Sequence, residues 1–260
     1  VRLRVRYSKR GKVRFTSHRD VARIWERALR KAELPVALST GFSPRPRLSF
    51  GLALPTGAES LGEYLDIELA ESAPVSEGDL SDPVARRALA ERLTAALPPG
   101  FAVMALAVRP PGGSLQEDVV ACTWEIGLTG VTSAEAATAV QRVLAASELP
   151  LERERKGERR VDDVRPAILG LGLDSGCDEV RLVATLAAEG RALRPVELVS
   201  ALFCDVDPLD VVAGVLRTHH WIERDGVWQE VLPVGHEAHP CGVGAGKDER
   251  HEPAFGSGRR

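Results

Sequence analysis

The opening stretch VRLRVRY constrains the fold more than any other part of the chain. Val1, Leu3, Val5 and Tyr7 alternate with Arg2, Arg4 and Arg6. Alternation of this kind places the two sets on opposite faces of a β-strand. The apolar set needs a core. The arginines, spaced by about 6.6 Å along the strand, need carboxylates from the same chain or an anion from outside, because an unpaired charge is costly to bury.

The wider charge distribution sharpens that choice. Residues 1–50 hold 14 Lys and Arg against 3 Asp and Glu, a net +11, although the formal net charge of all 260 residues is −3. The rest of the chain therefore carries −14. A basic segment segregated in this way is the electrostatic footprint expected of a polyanion-binding region. The same pattern arises if the segment faces the acidic remainder of its own chain.

Downstream, Ser8 to Lys12 read as a basic turn around Gly11. Ser17 and Asp20 have capping-box spacing and open a helix. Its apolar stripe is Val21, Ile24, Trp25, Ala28, Leu29 and Ala32, with Arg19, Arg23, Arg27 and Arg30 tracking away. A short apolar piece, Leu34 to Leu38, leads to the Gly- and Pro-containing loop 39–47, STGFSPRPR. Leu48 to Leu54 and Tyr64 to Leu69 read as strands, separated by turn residues Pro55, Gly57 and Gly62. Asp82-Pro83 starts a second helix with apolar positions Val84, Ala88, Leu89, Leu93 and Ala96. Phe101 to Val108 reads as another strand.

The second half restarts the pattern. Val119 to Leu128 reads as a strand, and Thr132 with Glu135 caps a helix facing inward through Ala136, Val140, Val143 and Leu144. Leu151 to Val164 suggests a charged hairpin around Gly157. Glu179 to Ala187 alternates as a strand, Pro195 to Phe203 forms a short helix, and Asp225-Gly226 marks a hairpin turn. The fold class expected is α+β, with two ferredoxin-like βαββαβ halves in tandem. The halves span 1–110 and 119–232, joined by a linker at 111–118. Residues 233–260 lose apolar periodicity and are expected to be a disordered tail.

The four cysteines, Cys122, Cys177, Cys204 and Cys241, form no C-x-x-C pair. Their spacing argues against a local metal site, a cofactor cluster or a disulfide framework. No apolar run approaches the about 20 residues that span a bilayer, and the N-terminus reads as a strand rather than a secretion signal. A cytoplasmic protein with no bound cofactor and no metal is the expectation.

The runs RVRYSKRGKVRFTSHRD, ERALRKAELPVALSTGFSPRPRLSFGLALPTGAES and GEYLDIEL resemble the N-terminal pattern of the radical-SAM-linked proteins, a bacterial family of unknown function. VDDVRPAIL, within 151–169, is similar to a second stretch of that family. The resemblance implies work beside a radical-SAM protein. It supplies no catalytic residues. These 260 residues lack the closely spaced cysteine triplet of a radical-SAM cluster, so that cluster would belong to the partner.

The candidate anion or RNA contacts are Arg2, Arg4, Arg6, Lys9, Arg10, Lys12, Arg14, Ser17, Arg19, Arg23, Arg45 and Arg47. Ser17 and His18 fall at a helix start, where free amides and the helix dipole favour anions. Arg45 and Arg47 could clamp an anion from the stiff loop. With aromatics at 5% of the chain and Tyr7 on the apolar side of its strand, phosphate contact is expected rather than base stacking across that strand. The reading is an accessory, non-catalytic protein of a radical-SAM system that binds a polyanion, RNA in particular. The alternatives are an RNA-processing endoribonuclease using His18 for proton transfer, and a protein-interaction adaptor with no nucleic-acid role.

Overall fold

A computed structural model describes residues 1–155, 157–174, 179–190 and 192–232. The expected tail, which holds Cys241, lies outside them, as does Cys177. The fold is mixed α+β, with seven α-helices and one large mixed sheet among the described residues.

The first half runs β1 (Arg2–Lys9), a 3₁₀ turn (Gly11–Phe15), α1 (His18–Lys31), β2 (Leu48–Phe50), β3 (Glu59–Glu68), α2 (Glu77–Ser81), α3 (Pro83–Ala96) and β4 (Phe101–Val108). Its strands order β4-β1-β3, with β2 on the far side of β3, and every pair is antiparallel. The second half runs α4 (Leu115–Asp118), β5 (Val119–Leu128), α5 (Ser133–Ala145), the hairpin β6 (Pro150–Arg155) and β7 (Glu158–Asp163), and β8 (Ile168–Asp174). It closes with β9 (Arg181–Ala187), α6 (Pro195–Leu202), α7 (Pro208–Val211), β10 (Val212–Arg224) and β11 (Val227–Glu230). Its strands order β10-β5-β9-β8, again all antiparallel. With the β6–β7 hairpin and β11 set aside, both halves place their last strand beside their first, then the third, then the second.

A short parallel pairing joins the halves: Leu216 and Arg217 of β10 align with Glu59 and Ser60 of β3. One sheet therefore runs through both. The segment expected as a linker is partly folded, since α4 lies within it and Leu115 is buried.

Local signals are borne out where they depend on near neighbours. Ser17 caps α1 by accepting from the Asp20 amide. Val21, Trp25, Ala28, Leu29 and Ala32 are buried against Leu3, Val5 and Tyr7 of β1. Thr132 and Glu135 form a complete capping box. Asp225 and Gly226 both take positive φ, 53° and 75°, as a tight hairpin turn requires.

Two expectations need correction, and one strand has no mark in the sequence. The strand expected to end at Leu54 stops at Phe50, and the Leu52 carbonyl instead accepts from the Arg217 guanidinium at 2.8 Å. In α3, Val84 is exposed, and Leu89 and Leu93 fill the core. The strand β8 has no clear signature in the sequence; the two glycines interrupting the leucines of ILGLGLD give it neither polar alternation nor strong β-propensity.

Beyond Arg217, β10 and β3 diverge. The turn at 225–226 brings β11 back along β10, with Trp221 opposite Glu230. In this fork His220 is buried, edge-on to Tyr64 with ring centroids 5.2 Å apart. Neither of its ring nitrogens makes a well-formed hydrogen bond among the described residues. Burial holds its pKa well below the usual 6.5, reinforced by the nearby Arg217 and Arg6 guanidinium groups.

Candidate functional site

The arginine face of β1 is buried, which corrects the expectation of an exposed Arg2, Arg4 and Arg6 face. Arg4 makes a bidentate pair with Asp66 directly across on β3, at 2.7 and 2.9 Å. Arg109 approaches the same carboxylate at 3.0 Å from the segment after β4. Arg6 pairs with Glu230 at 2.6 Å and donates to the carbonyls of Leu61, Thr218 and Leu232. Gly62 passes close beside that guanidinium: a Cβ there would lie 3.4 Å from it and 3.3 Å from the Thr218 carbonyl oxygen. Both arginines are at least 95% shielded from solvent. Charge-assisted bonds of this geometry satisfy the guanidinium donors internally. Arg2 alone of the three is exposed, beside Arg47, which pairs with Glu68 at 3.2 Å.

Lys9 is also buried, and Nζ donates to the carbonyls of Thr16 (2.9 Å) and Arg14 (3.4 Å). Burial pulls its pKa below the ordinary lysine range, with Glu63 opposing and Arg217 adding to the fall. Its role is to hold segment 10–16 against the sheet. Gly100 does the same from the other side. The Arg10 amide donates to its carbonyl at 2.8 Å, and at φ +98° any Cβ would meet the Arg10 oxygen at 2.6 Å.

That anchored segment and the first turns of α1 carry further exposed cations. Arg10, Lys12, Arg19 and Arg23 are exposed and Arg14 is partly so. Phe15 is 63% exposed, with the Arg14 guanidinium 4.7 Å above its ring. Two carboxylates lie among these five cations. Glu59 accepts from the Gly11 amide (2.8 Å) and reaches Arg14 (3.4 Å) and Arg10 (3.6 Å). Asp20 accepts from the Ser17 hydroxyl, which lowers its pKa, and pairs with Arg23 at 3.2 Å. We call this surface, from Arg10 to Arg23, the basic edge.

His18 is exposed in the first turn of α1, edge-on to Phe50 at 5.3 Å. Among the described residues nothing hydrogen-bonds its ring, and Asp20 is committed to Ser17 and Arg23. Among the described residues, His18 therefore has no proton-transfer partner. In loop 39–47, Phe42 and Arg45 are exposed, while Arg47 is drawn to Glu68, so the two arginines do not form one clamp.

Sequence reading missed a cleft of about 320 Å³ between the halves. Leu52, Ala53 and Pro55 form one wall, and the turn after β9 with the start of α6 forms the other. Arg217, Trp124 and Cys122 form the floor. Arg217 is buried, bonded to Glu63 at 2.6 Å, and lies 5.2 Å from the Trp124 ring centroid. Burial pushes the Cys122 thiol up to about 11, so it is protonated and unreactive at neutral pH. Arg153 of β6 spans to α6, bonding Glu197 at 2.7 and 3.1 Å and the Ala192 carbonyl at 2.7 Å. Arg194 is exposed at the rim. These residues are scattered from 52 to 217, and the usable signal was Arg217 itself, a lone arginine in the apolar run VVAGVLR.

No helix of the described residues is long and apolar enough to cross a membrane. The comparison with curated proteins gives no match. Residues 2–195, well over half of the chain, match the model of the family described as "Uncharacterized protein conserved in bacteria (DUF2344)", and the protein belongs to that bacterial family.

Proposed function

We propose that this protein is a non-catalytic accessory subunit that binds RNA along its basic edge and serves a radical-SAM partner. The observation that carries the RNA reading is the contrast in burial. Arg4, Arg6 and Lys9 are consumed inside the fold, whereas Arg10, Lys12, Arg14, Arg19 and Arg23 reach solvent, and the exposed Phe15 ring lies beneath Arg14. Outward cations that track a backbone, with a ring available for stacking, are what single-stranded nucleic acid binding requires. The lack of a proton-transfer partner at His18 favours binding over cleavage. The radical-SAM partner rests on the resemblance of residues 1–70 and of VDDVRPAIL. In this reading each half is a ferredoxin-like unit, supported by the shared strand order.

The test is a fluorescence-anisotropy titration of single-stranded RNA at several salt concentrations. Engagement of four or five phosphates should give a slope of log K against log salt of about −0.7 per phosphate. Binding that does not change with salt rejects the edge as the RNA site. Recovery of a radical-SAM protein with the full chain from nuclease-treated lysate tests the partner, and its absence there removes that half of the proposal.

A further inference from the structure

The cleft and the basic edge are physically continuous. Pro55 lines the cleft. Two residues on, the Gly57 amide donates to the Arg14 carbonyl at 2.9 Å, and a Cβ on Gly57 would lie 3.9 Å from the Phe15 ring. A strand of nucleic acid lying on the edge would thus pass the mouth of the cleft.

The charge inside the cleft decides what it suits. Its two deep arginines are both matched by carboxylates, Arg217 by Glu63 and Arg153 by Glu197 and Asp162. The interior is close to neutral and polar, its arginine donors shared with Glu63, Glu197 and the Leu52 and Ala192 carbonyls. The exposed cations, Arg194 and those of the edge, stay at or outside the mouth. A phosphate has no unmatched charge to meet in the depth, whereas a neutral planar heterocycle has hydrogen-bonding groups and flat surfaces. The exposed ring of Pro55 supplies such a surface, above a floor in which Arg217 packs over Trp124. The volume falls at the low end of small-ligand pockets, suited to one base with its sugar rather than a longer segment.

We infer that the cleft between the halves is a nucleotide pocket that takes a single nucleobase, with the phosphate held outside near Arg194. This deepens the RNA reading by adding a base-specific site beside the electrostatic edge. The base would come from an unstacked nucleotide of the bound RNA or from a free nucleotide; the chemistry is shared. Unstacked bases are the usual objects of single-strand recognition.

Ala53 and Ala192 are exposed and line opposite walls of the cleft. Ala53→Trp and Ala192→Trp should plug it without disturbing the core, with folding checked by circular dichroism and melting temperature. Calorimetric titration of the full chain would use the four nucleoside monophosphates, with ribose 5-phosphate and inorganic phosphate as controls. At least one nucleotide should bind saturably and at least tenfold more tightly than either control, and each plugged variant should lose tenfold or more. An edge variant carrying Lys12→Gln, Arg19→Gln and Arg23→Gln should keep mononucleotide binding while losing RNA affinity. Equal binding of ribose 5-phosphate overturns the inference, as does nucleotide binding untouched by both plugs. If RNA binds the edge normally while no mononucleotide binds, the pocket is refuted and the edge stands. If mononucleotides bind the cleft but RNA does not bind the edge, the pocket is upheld as a free-nucleotide site and the RNA reading falls. Tenfold weaker RNA binding in the plugged variants identifies the RNA as the source of the base.

Discussion

Arg4 and Arg6 lie only a few residues from Arg10 and Lys12, yet the two pairs have opposite fates. The first pair points across a sheet onto Asp66 and Glu230 and is sealed from water. The second rides on a 3₁₀ turn that Lys9 and Gly100 pin to the outside of that sheet. The difference teaches that a net charge summed over 50 residues conflates two kinds of cation. A strand fixes the direction of each side chain by parity, so an arginine on its covered face must be matched by a carboxylate. A turn at the sheet's end imposes no such demand. The buried cations hold the architecture, whereas the exposed ones meet solvent and, at most, carboxylates on the surface.

The largest expected effect breaks the buried side of this contrast. Asp66→Ala strands Arg4 and Arg109 against each other without their carboxylate, and should cost about 3–5 kcal/mol in urea unfolding. A loss below about 1 kcal/mol would show that the β1 face is less dry than its burial implies. Next, Gly100→Ala forces a side chain onto the Arg10 carbonyl and should cost about 1–3 kcal/mol. It should also weaken RNA binding, because the edge is displaced; full RNA affinity in a destabilised variant would uncouple the edge from its anchor.

A third effect belongs to the fork beside Arg6. Because the folded pKa of His220 is depressed, the unfolded chain takes up that proton more readily. The stability contributed by the neutral ring is complete above the unfolded value near 6.5 and is lost as pH falls below it. The loss should be about 1.4 kcal/mol per pH unit. Melting curves between pH 7.5 and 5 should show the slope in the parent and a flatter one in His220→Phe. An unchanged slope in that variant would assign the pH dependence elsewhere. The smallest effect on stability is expected at the edge. Arg19→Gln with Arg23→Gln should change unfolding by no more than about 0.5 kcal/mol, yet reduce the RNA salt slope by about 0.7 for each phosphate no longer engaged. Marked destabilisation would mean that these two cations serve the fold after all.

Much of the architecture was legible in the sequence because its signals are short-range. Ser17, Asp82 and Thr132 cap helices through amides two or three residues away, and the VRLRVRY alternation needs only the geometry of a strand. The short β2 and the weakly marked β8 show where that reasoning stops. Ser49 and Phe50 can pair with β3, but the chain after them is diverted to Arg217, more than 160 residues on. The edge was only partly visible. Arg10 and Arg4 look alike in a charge count, and the sequence does not say that Asp66 lies opposite Arg4 until the register of β1 on β3 is known.

By itself, then, the sequence determined most of the helices and strands, which face of β1 is apolar, and that positive charge gathers in the first 50 residues. Those properties follow from backbone geometry and neighbouring side chains. Only the tertiary structure decided which of the cations are neutralised, and that a cleft opens between the halves. The buried arginines show why: Arg4 meets Asp66, 62 residues away, and Arg217 meets Glu63, 154 residues away, brought together when one sheet closes across both halves.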